Sequence, residues 1–207
     1  MLTPTSSPAR SVWPARNRIR KNCSGGRHKM QFAIGQKVAY PNQGICVVEK
    51  IGKKRIGDAE LRVYSLRLLS DNSIIFVPVA NAGTVGIRPI MSGIQCKKLI
   101  ARLSDDFEPI SCDWKARSRE FMKKLQTGDV FEAADVLKKL TFLSREKKLS
   151  FREQTMLDKS RFLIISEVTN AGVADEEALR AEIDRLVDVA CKKHLKSQPR
   201  VMSAAAA

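Results

Sequence analysis

The spacing of apolar positions changes its period near residue 91. Between residues 32 and 91 the apolar positions come in short runs broken by turn signals, which is the pattern of strands. Residues 32–40 open this region, and Pro41-Asn42-Gln43-Gly44 is a strong turn signal before a strand at 45–51. Residues 52–60, polar and rich in Lys and Arg, read as a connection. Residues 61–68 alternate with period two, setting Leu61, Val63, Ser65 and Arg67 against Arg62, Tyr64, Leu66 and Leu68. Ser70-Asp71-Asn72-Ser73 turns into a strand at 74–79, and residues 83–88 close the run. Short strands separated by turns at about 8–12-residue intervals predict a small, strongly bent β-sheet or barrel.

From Ser92 onward the period is helical. Ser92-x-x-Gln95, Asp129-x-x-Glu132 and Ser150-x-x-Glu153 match the capping box, in which side chains satisfy the first orphaned backbone donors. Asp113 is a natural N-cap for a helix starting at Trp114, and Gly128 ends that helix. Helices are expected at about 92–103, 114–127, 129–148, 151–170 and 175–194. Val136, Leu137, Leu140 and Leu143 form the core stripe of the third; Met156, Leu157, Phe162, Leu163 and Ile164 form that of the fourth. Residues 104–112, with Pro109, form the loop before Trp114. The fold class is therefore α+β in two domains: a β module at 31–91 and an all-α bundle of about five helices at 92–194. Residues 1–30 read as a disordered basic extension, and 195–207 as a disordered tail. Met30 stands just before the first strand and reads as the alternative start of the protein.

Net charge narrows the partners. The chain carries +15 at pH 7, which favours a polyanion. Arg10, Arg16, Arg18, Arg20, Lys21, Arg27 and Lys29, with no acid among residues 1–29, supply nearly half of it. No apolar run approaches the ~18–20 residues that a membrane-spanning helix needs, so no membrane partner is expected. Cys23, Cys46, Cys96, Cys112 and Cys191 are odd in number, and none forms a Cys-x-x-Cys pair. With only His28 and His194 to assist, a zinc site is not expected, and reduced thiols in the cytoplasm are the simplest assignment.

No catalytic constellation is present. There is no Gly-x-x-x-x-Gly-Lys-Ser/Thr loop and no Gly-x-Gly-x-x-Gly after a strand. The helix acids are interleaved with lysines at pairing distances, as on solvated faces, so neither enzyme activity nor a cofactor or small-molecule substrate is expected. Trp114 carries the sharpest chemistry. An aromatic at a helix start, followed by Lys115, Arg117 and Arg119, can insert between or stack on bases while the cations engage phosphates. The competing role is a plug between helices. At about 100° per residue, Lys115, Arg119 and Lys123 share one face and Arg117 and Lys124 another, with Glu120 the one acid of the helix. Lys138-Lys139 and residues 145–148 extend this basic surface, matched by Asp135 and Glu146.

Gly35-x-x-Val38-x-Tyr40-Pro41-x-x-Gly44 and Val77-Pro78-x-x-Asn81-x-x-x-Val85-Gly86-Ile87-Arg88 resemble the N-terminal module of the CarD/CdnL transcription regulators, a module shared with transcription-repair coupling factors. In the helical half, Asp113-Trp114, Leu125-x-x-Gly128-Asp129, Leu149-Ser150-x-x-Glu153 and Met156-Leu157 carry the same resemblance, which spans about 31–194. It implies a Tudor-like β module that docks on the β subunit of bacterial RNA polymerase. It also implies a helical domain that contacts promoter DNA at the upstream edge of the transcription bubble, with Trp114 as a minor-groove wedge that slows bubble collapse. No sequence-specific base reading is required, because phosphate contacts carry no sequence information. By this resemblance the polymerase contacts are Lys54, Ile56 and Phe76, and the DNA contacts Trp114, Lys115, Arg117, Arg119 and Lys123. Two positions depart from the family: Phe76 and Ala116 each stand where relatives carry a basic residue. Gly44, Pro41 and Gly86 read as turn chemistry.

Three other readings compete. A methyl-lysine reader needs several convergent rings, and the β half offers only Phe32, Tyr40, Tyr64 and Phe76. A free-standing architectural protein would bind duplex DNA strongly without polymerase. A fragment of a repair-coupling translocase would carry the missing phosphate loop. The chain is expected to act as a monomer.

Overall fold

The computed structural model describes residues 31–56, 59–173 and 175–197; the side chains of Ile56 and Ala59, the basic extension and residues 198–207 lie outside the described set. Five strands form one antiparallel sheet: β1 (Lys37–Tyr40), β2 (Gly44–Ile56), β3 (Ala59–Leu68), β4 (Ile74–Pro78) and β5 (Arg88–Pro89). Their order is β4-β3-β2-β1-β5. In residues 61–68 the core-facing set holds, since Tyr64, Leu66 and Leu68 are buried with Val38, Cys46, Val48 and Val77, but Val63 of the opposite set is buried too. The ladder between β2 and β3 is irregular between Val48 and Lys50, where a bulge bends the sheet. Phe32 precedes the first strand; its ring packs on Tyr64, whose hydroxyl accepts from the Phe32 backbone N–H at 3.2 Å.

The segment 52–60 departs from its expected role as a connection. β2 and β3 stay paired out to Ile56 opposite Ala59, forming a long two-stranded arm. An arm wetted on both faces needs no apolar alternation, so the pattern that marks a half-buried strand is missing. Cross-strand charge substitutes for it in part: Lys53 Nζ lies 3.0 Å from Glu60 Oε2, an exposed pair.

A 3₁₀ turn at Val79–Asn81 and a short α1 (Ala82–Val85) lead through Gly86, at φ 84°, into β5. The helical domain follows with α2 (Gly93–Leu103), α3 (Trp114–Gln126), α4 (Val130–Glu146), α5 (Phe151–Asn170) and α6 (Glu176–Ser197). Both strict capping boxes form: Ser92 with Gln95, and Ser150 with Glu153. Asp129 caps α4 by accepting from Phe131 N, while Glu132 receives the Thr127 hydroxyl instead of closing a box. α4 is the central helix, with Val136, Leu137, Leu140 and Leu143 all buried. Lys138 and Lys139 are buried as well and do not extend a basic surface. Lys138 Nζ donates to the carbonyls of Arg102 at 3.0 Å and Asp105 at 3.3 Å, satisfying acceptors at the end of α2. Phe162 likewise leaves the core stripe of α5. It is 38% exposed and packs towards Gly44 of the β module.

Residues 195–197, read from sequence as part of the tail, form the last turn of α6. Ser197 Oγ donates to Asp106 at 2.6 Å, His194 Nδ1 lies 2.8 Å from the other Asp106 oxygen, and Lys193 Nζ donates to the Ser104 carbonyl at 2.8 Å. The His194 ring stacks on Phe107 at 4.0 Å and meets Phe142 edge-on. The end of α6 thus fastens the loop that delivers the chain to Trp114.

Candidate nucleic-acid interface

Asp113 N-caps α3, its carboxylate accepting from Lys115 N at 2.9 Å, so Trp114 is the first helical residue. The indole is 62% exposed, which excludes the role of a plug between helices. Lys115 Nζ sits 5.7 Å from the indole centroid, within reach of a cation–π contact. Lys115, Arg119 and Lys123 are all exposed and recur every four residues, so they form one cationic ridge running from the tryptophan along α3. Lys124 is drawn to Glu120 at 3.4 Å.

Arg117 does not join that ridge. It is 3% exposed, on the face that buries Phe121 and Leu125. Its Nη1 donates to the Ser111 carbonyl at 2.8 Å, and its Nη2 to Glu153 Oε1 at 2.8 Å. The other Glu153 oxygen receives the Ser150 backbone N–H at 3.0 Å and the Ser150 hydroxyl at 2.8 Å. A guanidinium in this position cannot reach a phosphate. Arg117 instead ties the loop before Trp114 and the start of α3 to the N-terminal cap of α5. Burial works to raise the Glu153 pKa, but the Arg117 hydrogen bond, the Ser150 bonds and the nearby guanidinium charge outweigh it and lower it to about 2. A carboxylate with a depressed folded pKa gives its full stabilisation above the unfolded value near 4.5, and that stabilisation is lost as pH falls towards about 2. The shift corresponds to on the order of 3 kcal/mol. Between pH 5 and pH 2 the melting temperature of the wild type is therefore expected to fall more steeply than that of Glu153→Gln, measured by circular dichroism.

Sequence reasoning placed residues 145–148 on this basic surface but missed Phe151 and Arg152. Phe151 is 90% exposed as the first residue of α5, with Lys147, Lys148 and Arg152 exposed around it. Arg152 shares a shallow depression with Arg119 and Lys123, which joins the two basic sets. The signal was present, because Ser150-Phe151-Arg152 repeats the cap–aromatic–cation order of Asp113-Trp114-Lys115.

On the β module, Lys54 and Phe76 meet. The Lys54 ammonium lies 3.4 Å from the Phe76 ring centroid, and the ring is 47% exposed. Ile74 and Leu61 are exposed beside them, on the outer face of β3 and β4. Phe76 thus serves as a platform for Lys54, a cation–π contact worth about 0.5–1 kcal/mol at an exposed site. The Ile56 side chain lies outside the described residues.

Two family profiles match this chain, "CarD-like/TRCF RID domain" over residues 32–91 and "CarD, C-terminal domain" over residues 98–184. The chain belongs to the CarD-like family of transcription factors. It is also similar to a Bacillus subtilis (strain 168) protein named "Putative transcription factor YdeB", 27% identical over 137 residues, or 66% of this chain and 90% of that one. The two CarD-like profiles meet the structure at its own division, one over the five-stranded sheet and the other over the helices from late α2 into α6. Among the described residues, no helix is long and apolar enough to cross a membrane.

Proposed function

We propose that this CarD-like protein regulates transcription by binding the RNA polymerase β subunit through its β module while its helical domain holds promoter DNA at the upstream edge of the bubble. The observation that carries this reading is the exposure of Trp114 on a capped, rigid helix start beside the ridge of Lys115, Arg119 and Lys123. An exposed indole costs solvation in the free protein and has no structural role that explains it. Set against a partly unstacked base step, it supplies an apolar plate while the ridge meets phosphates. Phe151 with Lys147, Lys148 and Arg152 offers a second plate and further phosphate contacts. Both sets are indifferent to base identity, so position is set by the polymerase and not by sequence.

Lys54 on its Phe76 platform, with Ile74 and Leu61, supports the outer sheet face as the polymerase contact. A partner surface that offers a carboxylate beside an apolar depression fits it. In this reading residues 31–91 bind polymerase, 92–194 contact DNA, and the protein works as a cytoplasmic monomer without a cofactor. The reading is of a binding protein. The carboxylates at the two helix starts are already engaged, Asp113 on the α3 cap and Glu153 on Arg117 and the α5 cap. Linkage supplies the mechanism, since a protein with higher affinity for the melted than for the closed promoter shifts the equilibrium by that difference.

The test is the lifetime of promoter open complexes with and without the protein. A longer lifetime that requires polymerase binding supports the proposal. Tight duplex binding without polymerase, persisting at moderate salt, would favour a free-standing architectural role instead.

A further inference from the structure

We propose that the seam between the two modules is a positioning device: Arg88, Glu167 and Gly128 hold the outer sheet face and the aromatic end of α3 at one fixed separation, on which the action at the promoter depends. This inference rests on the function proposed above.

The seam is built from β5 and the β1–β2 turn on one side, and from α5 and the end of α3 on the other. Arg88 grips the Glu167 carboxylate with both terminal nitrogens, at 2.5 and 2.7 Å, and Glu167 is 2% exposed. The same carboxylate accepts from Met91 N at 3.1 Å, and Arg88 Nη2 also donates to the Gly128 carbonyl at 2.9 Å. A bidentate guanidinium fixes orientation as well as distance. Gly128 is fixed from the opposite side too. At φ 73°, it faces Pro41 so closely that an added Cβ would stand 2.9 Å from Pro41 Cα. Pro41 also abuts Gly86, and Gly44 at φ 105° abuts the Phe162 ring. Lys37 Nζ donates to Asn170 at 3.0 Å along the same seam. The void left among Tyr40, Arg88, Gly128 and Glu167 is only about 10 Å³, near the minimum for a single water.

Gly128 directly follows the C-cap of α3, and Trp114 is the first residue of that helix. The helical domain, tied at the start of α3 by Arg117 and Glu153, therefore turns as one body about the seam, and the aromatic sits a helix length away along α3. The 13 residues of α3 span about 20 Å, so a tilt of roughly 10° at the seam displaces the indole by about 3 Å. That is close to a full van der Waals contact distance, enough to take a stacked ring off its base. With polymerase holding one module, slack at the seam lowers the effective concentration of the aromatic end at the DNA without altering either contact surface.

The test is Gly128→Ala against Gly172→Ala in the full chain. Gly172 also has a left-handed φ, 71°, but nothing lies within 4 Å of its hypothetical Cβ. It reproduces the backbone strain without the collision. Open-complex lifetime, binding to an isolated polymerase β fragment, duplex binding and melting temperature are measured for both. The proposal expects Gly128→Ala to lose on the order of tenfold of the lifetime extension while both separate affinities stay within about twofold of wild type. Gly172→Ala should retain the extension. Glu167→Gln, which loosens the seam from α5, should reproduce the loss while the protein remains folded. If Gly128→Ala and Gly172→Ala extend the lifetime equally, the positioning role is overturned and the proposed function stands. If the wild type extends nothing, both fall together.

Discussion

Trp114→Ala is expected to abolish most of the open-complex lifetime extension and leave the fold intact. Stacking of a base on an aromatic side chain contributes about 1–3 kcal/mol by alanine substitution. At about 1.4 kcal/mol per factor of ten, loss of that contact shortens the lifetime roughly 5- to 150-fold relative to the wild-type complex. The indole is 62% exposed in the free protein, so its removal opens no cavity. The melting temperature should stay close to wild type, since surface substitutions away from such features change stability by about 0.5 kcal/mol or less. A buried tryptophan would behave oppositely, with a loss of about 3–5 kcal/mol on truncation. Lifetime and melting curve measured on one preparation therefore separate the two roles. A marked fall in melting temperature with an unchanged lifetime would remove Trp114 from the DNA surface.

The helices were legible because their ends are written locally. Ser92, Asp113, Asp129 and Ser150 each cap a helix within one residue of the expected start, since a cap needs only the backbone of its own first turn. The β2–β3 arm was not legible, because a strand pair with both faces in water leaves no hydrophobic alternation. The seam was hidden for a different reason. Pro41, Gly44 and Gly86 do adopt turn conformations, but their closest approaches are to one another and to Gly128 and Phe162, far along the chain. Periodicity reports which residues seek burial and is silent on what covers them. In the candidate site, the exposed ridge of Lys115, Arg119 and Lys123 follows from helical spacing alone. The burial of Arg117 also had a signal, since Arg117, Phe121 and Leu125 are spaced by four and the last two are apolar. On that face the helical position, not the charge, decides where the guanidinium goes.

Arg117 thus has a role that salt can distinguish from the one its charge implied. A cation that neutralises a phosphate adds about one unit to the slope of log K against log salt, because it releases a condensed counterion. Lys115→Ala and Arg119→Ala should each lower that slope by about one, with little change in melting temperature. Arg117→Ala should leave the slope where it is and lower stability instead. Its loss strands the Glu153 carboxylate in a nearly buried site, and removing one partner of a buried pair typically costs about 3–5 kcal/mol. Glu153→Gln should act in the same direction, because it weakens the same tie between α3 and the α5 cap. Duplex binding across a salt series, beside denaturant unfolding of each variant, makes the comparison. An unchanged stability with a shallower salt slope in Arg117→Ala would return Arg117 to the phosphate-contacting surface. The opposite pair of results fixes it as the residue that holds Trp114 in place from beneath.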